Sequence, residues 1–287
     1  MSPASSLTLA CLLVGASVGP AASAQQRQPG PVERISEDLL ERGQFADALR
    51  AGQTALDAAR RAGDARREAA ALSSLGNAYF FLGDRPRALD FFQLALAKAR
   101  ELGDETGEAT ELKNIGIAYQ NLARPEESLE FFQQALRISR RLNDTALIAS
   151  SLENLGMAHA LLGAHRQAFD FFEQTREIAE DHALRDQQHH VLVDMGRLLL
   201  DLRQPDQARA RFEQALAVAE QENHFVGQAY ALEGLSLAYA ALGDMPNAIA
   251  TAHRCLALSS SVQHAGPSRN ACGTSAPITW SPIPSVH

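Results

Sequence analysis

The sequence repeats itself at a fixed spacing of 40 residues. LSSLGNAYFFLGDRPRALDFFQLALAKARELGD, from Leu72, overlays on LKNIGIAYQNLARPEESLEFFQQALRISRRLND, from Leu112, and on LENLGMAHALLGAHRQAFDFFEQTREIAEDHAL, from Leu152. Weaker copies begin at Leu192 and Leu232, and a degenerate first copy begins at Val32. A small residue recurs at Gly76, Gly116, Gly156, Gly196 and Ser236, and a second at Ala48, Ala88, Ser128, Ala168, Ala208 and Ala248. An aromatic ring recurs at Phe92, Phe132, Phe172 and Phe212. A period of this length that never slips marks a solenoid, in which no unit buries its apolar face alone and each must stack on its neighbours.

Two amphipathic helices fit within one unit. Leu72, Leu75, Gly76, Tyr79 and Leu82 share one face of a first helix, helix A. Ala88, Phe92, Ala95, Leu96 and Ala99 share a face of a second, helix B. Gly83-Asp84, Gly103-Asp104 and Gly243-Asp244 punctuate them: the glycine takes the left-handed turn that ends one helix, and the aspartate accepts from free N–H groups opening the next. Pro86, Pro125, Pro205 and Pro246 fall in the first turn of helix B, where a missing N–H costs little. Gly76 and Ala88 let the two backbones approach, with Phe92 and Tyr79 expected to fill the space between neighbouring units. The expected fold is all-α, a right-handed superhelical solenoid of about six helix pairs with units starting near 32, 72, 112, 152, 192 and 232.

Leu72, Leu75-Gly76, Tyr79, Ala88, Phe92 and Ala95 together resemble the signature of the tetratricopeptide repeat (TPR). The resemblance covers residues 32–264 and fades towards both ends. It departs in its longer period and in lacking the usual late proline of helix B, where Arg100 leads into a Leu-Gly-Asp linker. That is similar to the long-helix repeats of kinesin light chains, of Pins/LGN-type adaptors and of exported bacterial arrays that precede a caspase-like CHAT protease domain. The resemblance implies a non-catalytic scaffold, needing no cofactor, that holds a peptide or partner helix in a concave groove lined by the A helices.

Carried onto this sequence, the groove positions are Ser74, Asn114, Asn154 and Asp194 at one repeat register, and Asn77, Ile117, Met157 and Arg197 one turn along. An asparagine ladder suits peptide binding because each amide offers a donor and an acceptor to an extended backbone. The competing reading of Asn114 and Asn154 is a bond to the array's own backbone. Lys113, Gln120, Asn121 and His190 are further candidates. A clamp for a C-terminal carboxylate is not reproduced: Asn77 and Asn114 fit it, but Ser73, Ser150 and Asn154 stand where basic residues would be required. His189 and His190 are adjacent on a helix, point about 100° apart, and read as solvated residues and not as a metal site. Cys255 occupies the small-residue register of Ala55, Ala95, Ala135 and Ala215, so it reads as a buried structural thiol.

Residues 1–24 carry no charged side chain and residues 259–287 only Arg269, leaving 25 basic against 34 acidic groups between them. With no basic surplus, nucleic acid and anionic membranes are disfavoured as partners. Residues 1–24 carry an apolar run, Leu7 to Val18, too short to span a bilayer, followed by Ala22-Ser23-Ala24. This reads as a secretory signal, with a linker at 25–31, and places the protein in the periplasm or outside the cell. Residues 265–287 are rich in Ser, Pro and Gly without helical periodicity and read as a disordered tail. Exposed Ile249, Leu256 and Leu258 on the last helix would then call for capping by a partner, by self-association or by further sequence. The alternative functional reading is the regulatory arm of a truncated CHAT-type protease.

Overall fold

A computed structural model describes residues 39–40 and 44–264 of the chain. The expected signal segment, the linker, most of the first A helix and the C-terminal tail lie outside the described residues. Among these residues the structure is eleven α-helices and no strand. They are α1 (Phe45–Ala62), α2 (Ala65–Phe81), α3 (Arg85–Glu101), α4 (Glu105–Asn121), α5 (Pro125–Leu142), α6 (Thr145–Leu161), α7 (His165–Asp181), α8 (Arg185–Asp201), α9 (Pro205–Gln221), α10 (Phe225–Ala241) and α11 (Met245–His264). Even-numbered helices are the A helices of units two to six, and odd-numbered ones are the B helices. No described helix is long and apolar enough to cross a membrane.

Each helix from α1 to α10 is followed by the same kind of turn, two or three residues long. One residue in the left-handed region recurs every 20 positions, at Gly63, Gly83, Gly103, Ala123, Asn143, Gly163, Ala183, Arg203, Asn223 and Gly243. In these turns the next two N–H groups close back on the helix end, as when Gly83 N–H donates to Phe80 O at 3.0 Å and Asp84 N–H to Tyr79 O at 3.0 Å. The residue after the turn then caps the following helix: the carboxylates of Asp64, Asp84, Asp104, Asp144 and Asp244 accept from the N–H three residues on. Turns within a unit and between units are therefore built alike.

Packing explains the small residues. Phe92, Phe132, Phe172 and Phe212 are all but fully buried. A Cβ at Gly76, Gly116, Gly156 or Gly196 would stand 2.4–2.6 Å from the ring on the adjoining B helix, so only glycine admits it. In the sixth unit Ser236 takes that register and its hydroxyl donates to Ala248 O at 3.0 Å. The second small register, from Ala48 to Ala248, is buried throughout. Core clusters cross unit boundaries, as where Phe92 and Leu96 join Leu112, Ile115 and Ile138. Tyr79 is half-buried against the core cluster that joins its unit to the next, and it also stacks on Phe91 of its own unit at 5.3 Å, as Tyr119 does on Phe131 and His159 on Phe171. The outward aromatic of helix B recruits it.

Successive A helices also touch one another, α4 with α6, α6 with α8 and α8 with α10, whereas successive B helices make no comparable contact. The A helices thus form the inner, shorter-radius layer and their free faces line the concave side. At the far end Ile249 and Leu256 are exposed, as expected, but Leu258 is half-buried and packs on the cluster around Leu216 and Tyr230. Cys255 is buried in that same cluster, its thiol 3.5 Å from Ala229 O.

Candidate functional site

The inner layer places every groove residue expected from sequence on helices α2, α4, α6 and α8. Asn77, Lys113, Asn114, Ile117, Asn121, Asn154, Met157, Asp194 and Arg197 are half-buried, and Gln120 is buried. Ile117 joins the core clusters on both sides of it and Met157 packs beside Phe172 and Met195, so these two serve the core as much as the groove.

The asparagine ladder is partly spent on the array itself. Asn154 Nδ2 donates to Ser150 O at 2.7 Å and Asn121 Nδ2 to Ile117 O at 3.0 Å, each one turn back on its own helix. Asn114 Nδ2 donates to Glu111 Oε2 at 3.3 Å, and Gln120 Nε2 reaches into the next unit to Asn154 O at 3.4 Å. What remains is acceptor capacity. Gln120 Oε1 and Asn121 Oδ1 are shielded from solvent with no hydrogen-bond partner in the chain, and Arg197 Nη1 is a shielded donor with an ion pair but no hydrogen bond. Unpaired buried polar atoms of this kind cost about 1–3 kcal/mol each and are satisfied by a ligand that supplies the missing half.

Sequence reading missed the acids between these residues. Glu111, Glu153 and Glu233 join Lys113, Asp194 and Arg197 to form a charged floor running through four consecutive A helices. Burial pushes the Glu111 carboxyl up to about 7, against the pull of Ser73, Asn114 and Lys113. Burial likewise raises Glu153 well above the usual carboxylate range; the neighbouring Asp194 charge adds to this and Lys113 offsets part of it. Asp194 is raised by burial too, so near neutrality the two acids do not both ionise freely. Burial lowers Lys113, with Glu153 and Glu111 opposing. It lowers Arg197 as well, against Glu233 and Tyr230. Arg197 Nη1 stands 3.8 Å from Asp194 Oδ1, and its guanidinium lies 5.8 Å from the Tyr230 ring centre. A repeat-register signal was available for Glu153 and Glu233, which share the register of Lys113. Four acids against two bases leave the floor short of positive charge.

A second polar cluster lies at the joint of the fifth and sixth units. His189 is 1% exposed and not solvated, and His190 is half-buried beside it, with ring centres 4.0 Å apart. His224, from the turn before α10, lies against His189 with ring centres 4.7 Å apart and planes tilted by 57°, and Asp186 stands one turn upstream. Adjacency on one helix had concealed the partner supplied by the next unit.

Among solved structures, the chain is similar to BtubC (BKLC) from P. vanneervenii, at 20% identity and TM-score 0.64, covering 78% of this chain and 94% of that one. It is similar to the apo form of RapI, at 15% identity and TM-score 0.67, covering 84% and 86%. It is also similar to NprR in complex with its cognate peptide NprX, at 15% identity and TM-score 0.61, covering 82% and 66%. At these identities the likeness is one of fold. No curated protein matches the sequence. Tetratricopeptide-repeat family profiles match residues 32–101 and 108–181, and a further one matches residues 193–261. With the repeat register, the paired helices and these matches agreeing over most of its length, the chain belongs to the tetratricopeptide repeat family.

Proposed function

We propose that the protein is a non-catalytic scaffold that binds an extended peptide or partner helix along the concave floor, with a basic side chain of the ligand seated between Glu153 and Asp194. The observation that carries this reading is the unfinished polar floor: two crowded acids, and buried atoms of Gln120, Asn121 and Arg197 that make no hydrogen bond, on successive A helices. A peptide backbone supplies N–H groups to the free amide oxygens and a C=O to Arg197, and a Lys or Arg side chain lets both acids ionise. NprR, a protein of similar fold, is seen with its cognate peptide. The apolar leader followed by Ala22-Ser23-Ala24 supports action outside the cytoplasm.

The test is selection of displayed random peptides on the full chain, followed by binding of the winners to two variants that circular dichroism shows are still helical. Peptides should be enriched in Lys or Arg. They should lose more than about tenfold in affinity for Glu153→Gln/Asp194→Asn, since removing the partners of a shielded charge costs upwards of about 2 kcal/mol. Asn114→Ala/Asn154→Ala should weaken them less, because both amide donors already serve the array. Peptides without basic residues, or undiminished binding to the acid variant, would overturn the reading.

A further inference from the structure

The joint between the fifth and sixth units breaks the repeat pattern at two positions that meet at one point. His189 occupies the register held by Ala69, Ala109, Ala149 and Ala229, a small core position where an imidazole has no packing reason to be. His224 occupies the capping register that an aspartate holds at 64, 84, 104, 144 and 244. Gly227 supplies the room: a Cβ there would stand 2.6 Å from His224 Nδ1 and 2.8 Å from His189 Nε2, so both nitrogens face one space that only glycine leaves open.

Within it, one ligand atom each from Asp186, His189 and His224 lies within 4.8 Å of the others. His189 is 1% exposed, its Nδ1 is held on Arg185 O at 3.3 Å, and its Nε2 is shielded from solvent with no partner. A backbone carbonyl fixing one ring nitrogen while the other points into a polar recess is how ligating histidines are oriented.

We propose that Asp186, His189 and His224 form a site for a divalent transition metal of the zinc class, with water completing the coordination. Two imidazoles and one carboxylate are an N/O set suited to such ions, and ligand atoms about 3.3 Å apart in a tetrahedral site are reached from the present spacing by side-chain rotation. Because the ligands come from α8 and from the turn before α10, the ion adds a fastening between two units that otherwise meet through apolar packing and a few polar contacts, such as Gln228 Nε2 on Ala219 O at 3.2 Å. If His224 ligates through Nδ1, it gives up its acceptance from Gly227 N–H, now 3.2 Å away.

The test uses the untagged full chain, stripped with chelator and titrated with zinc, and separately with cobalt for its visible spectrum. One ion per chain should bind, with a tetrahedral-type cobalt spectrum and a raised melting temperature. His189→Ala restores the residue of its own register and His224→Ser keeps a capping oxygen, so both variants fold. Each should lose more affinity than the roughly 10–100-fold that removing an outer-shell partner costs. Absence of stoichiometric binding, or equal binding by parent and both variants, would overturn the site. Peptide binding in the groove is unaffected by either result.

Discussion

Glu111 offers a quantitative check on the charged floor. It is 5% exposed, and burial raises its carboxyl from 4.5 to about 7. The folded protein therefore holds this proton more tightly than the unfolded chain does. Below about pH 4.5 both states are protonated and the acid is neutral in its effect; as pH rises, only the unfolded state releases the proton freely, so folding loses stability. At about 1.4 kcal/mol per tenfold change the full penalty is about 3 kcal/mol above pH 8, of which about 2.5 kcal/mol develops between pH 5 and pH 8. Glu111→Gln keeps an oxygen for Asn114 but cannot ionise. Urea denaturation of parent and variant across this range should show the variant gaining about 2.5 kcal/mol relative to the parent between pH 5 and pH 8. Contributions from the buried histidines, which run in the opposite sense, occur in both proteins and cancel in the difference. Parallel curves would refute the claim that Glu111 is an unrelieved acid in the inner layer.

Two further outcomes concern the frame. Gly156→Ala should destabilise by about 1–3 kcal/mol despite a gain of about 1 kcal/mol in helix propensity, because its Cβ meets Phe172 at 2.5 Å. Combined with Phe172→Leu the same change should cost much less, and a double-mutant cycle by chemical denaturation measures that coupling. Ala183→Gly should stabilise by about 1 kcal/mol, since φ is 53° there and the change relieves a left-handed alanine; thermal melting reads it.

The repeat period told the fold because packing and period are one constraint here: Phe132 is admitted only where Gly116 has no Cβ, so the residues that overlay are those that touch. Half of the turns escaped notice, since Ala123, Asn143, Ala183, Arg203 and Asn223 hold the left-handed conformation by context and carry no glycine to announce it. The groove was legible in register but not in energy. Lys113 and Arg197 could be placed on the right face, whereas the burial that makes Glu111 and Glu153 unusual depends on the curvature of several units together. His189 was misread as solvated because its companions, Gly227 and His224, lie a full unit away along the chain.

The sameness of the turns makes groove length a separable quantity. Asp104 enters α4 with φ −87° and ψ 83°, and Asp144 enters α6 with φ −85° and ψ 98°. Excising residues 105–144 would bring Asp104 against Thr145 with the entry angle and the cap onto Leu147 preserved. The shortened array would lose Glu111, Lys113, Asn114, Gln120 and Asn121 in one step and keep the floor residues of the later A helices. A gene encoding such a chain can therefore lengthen or shorten its reach by whole modules, and tune the span of ligand it grips, without inventing a new fold.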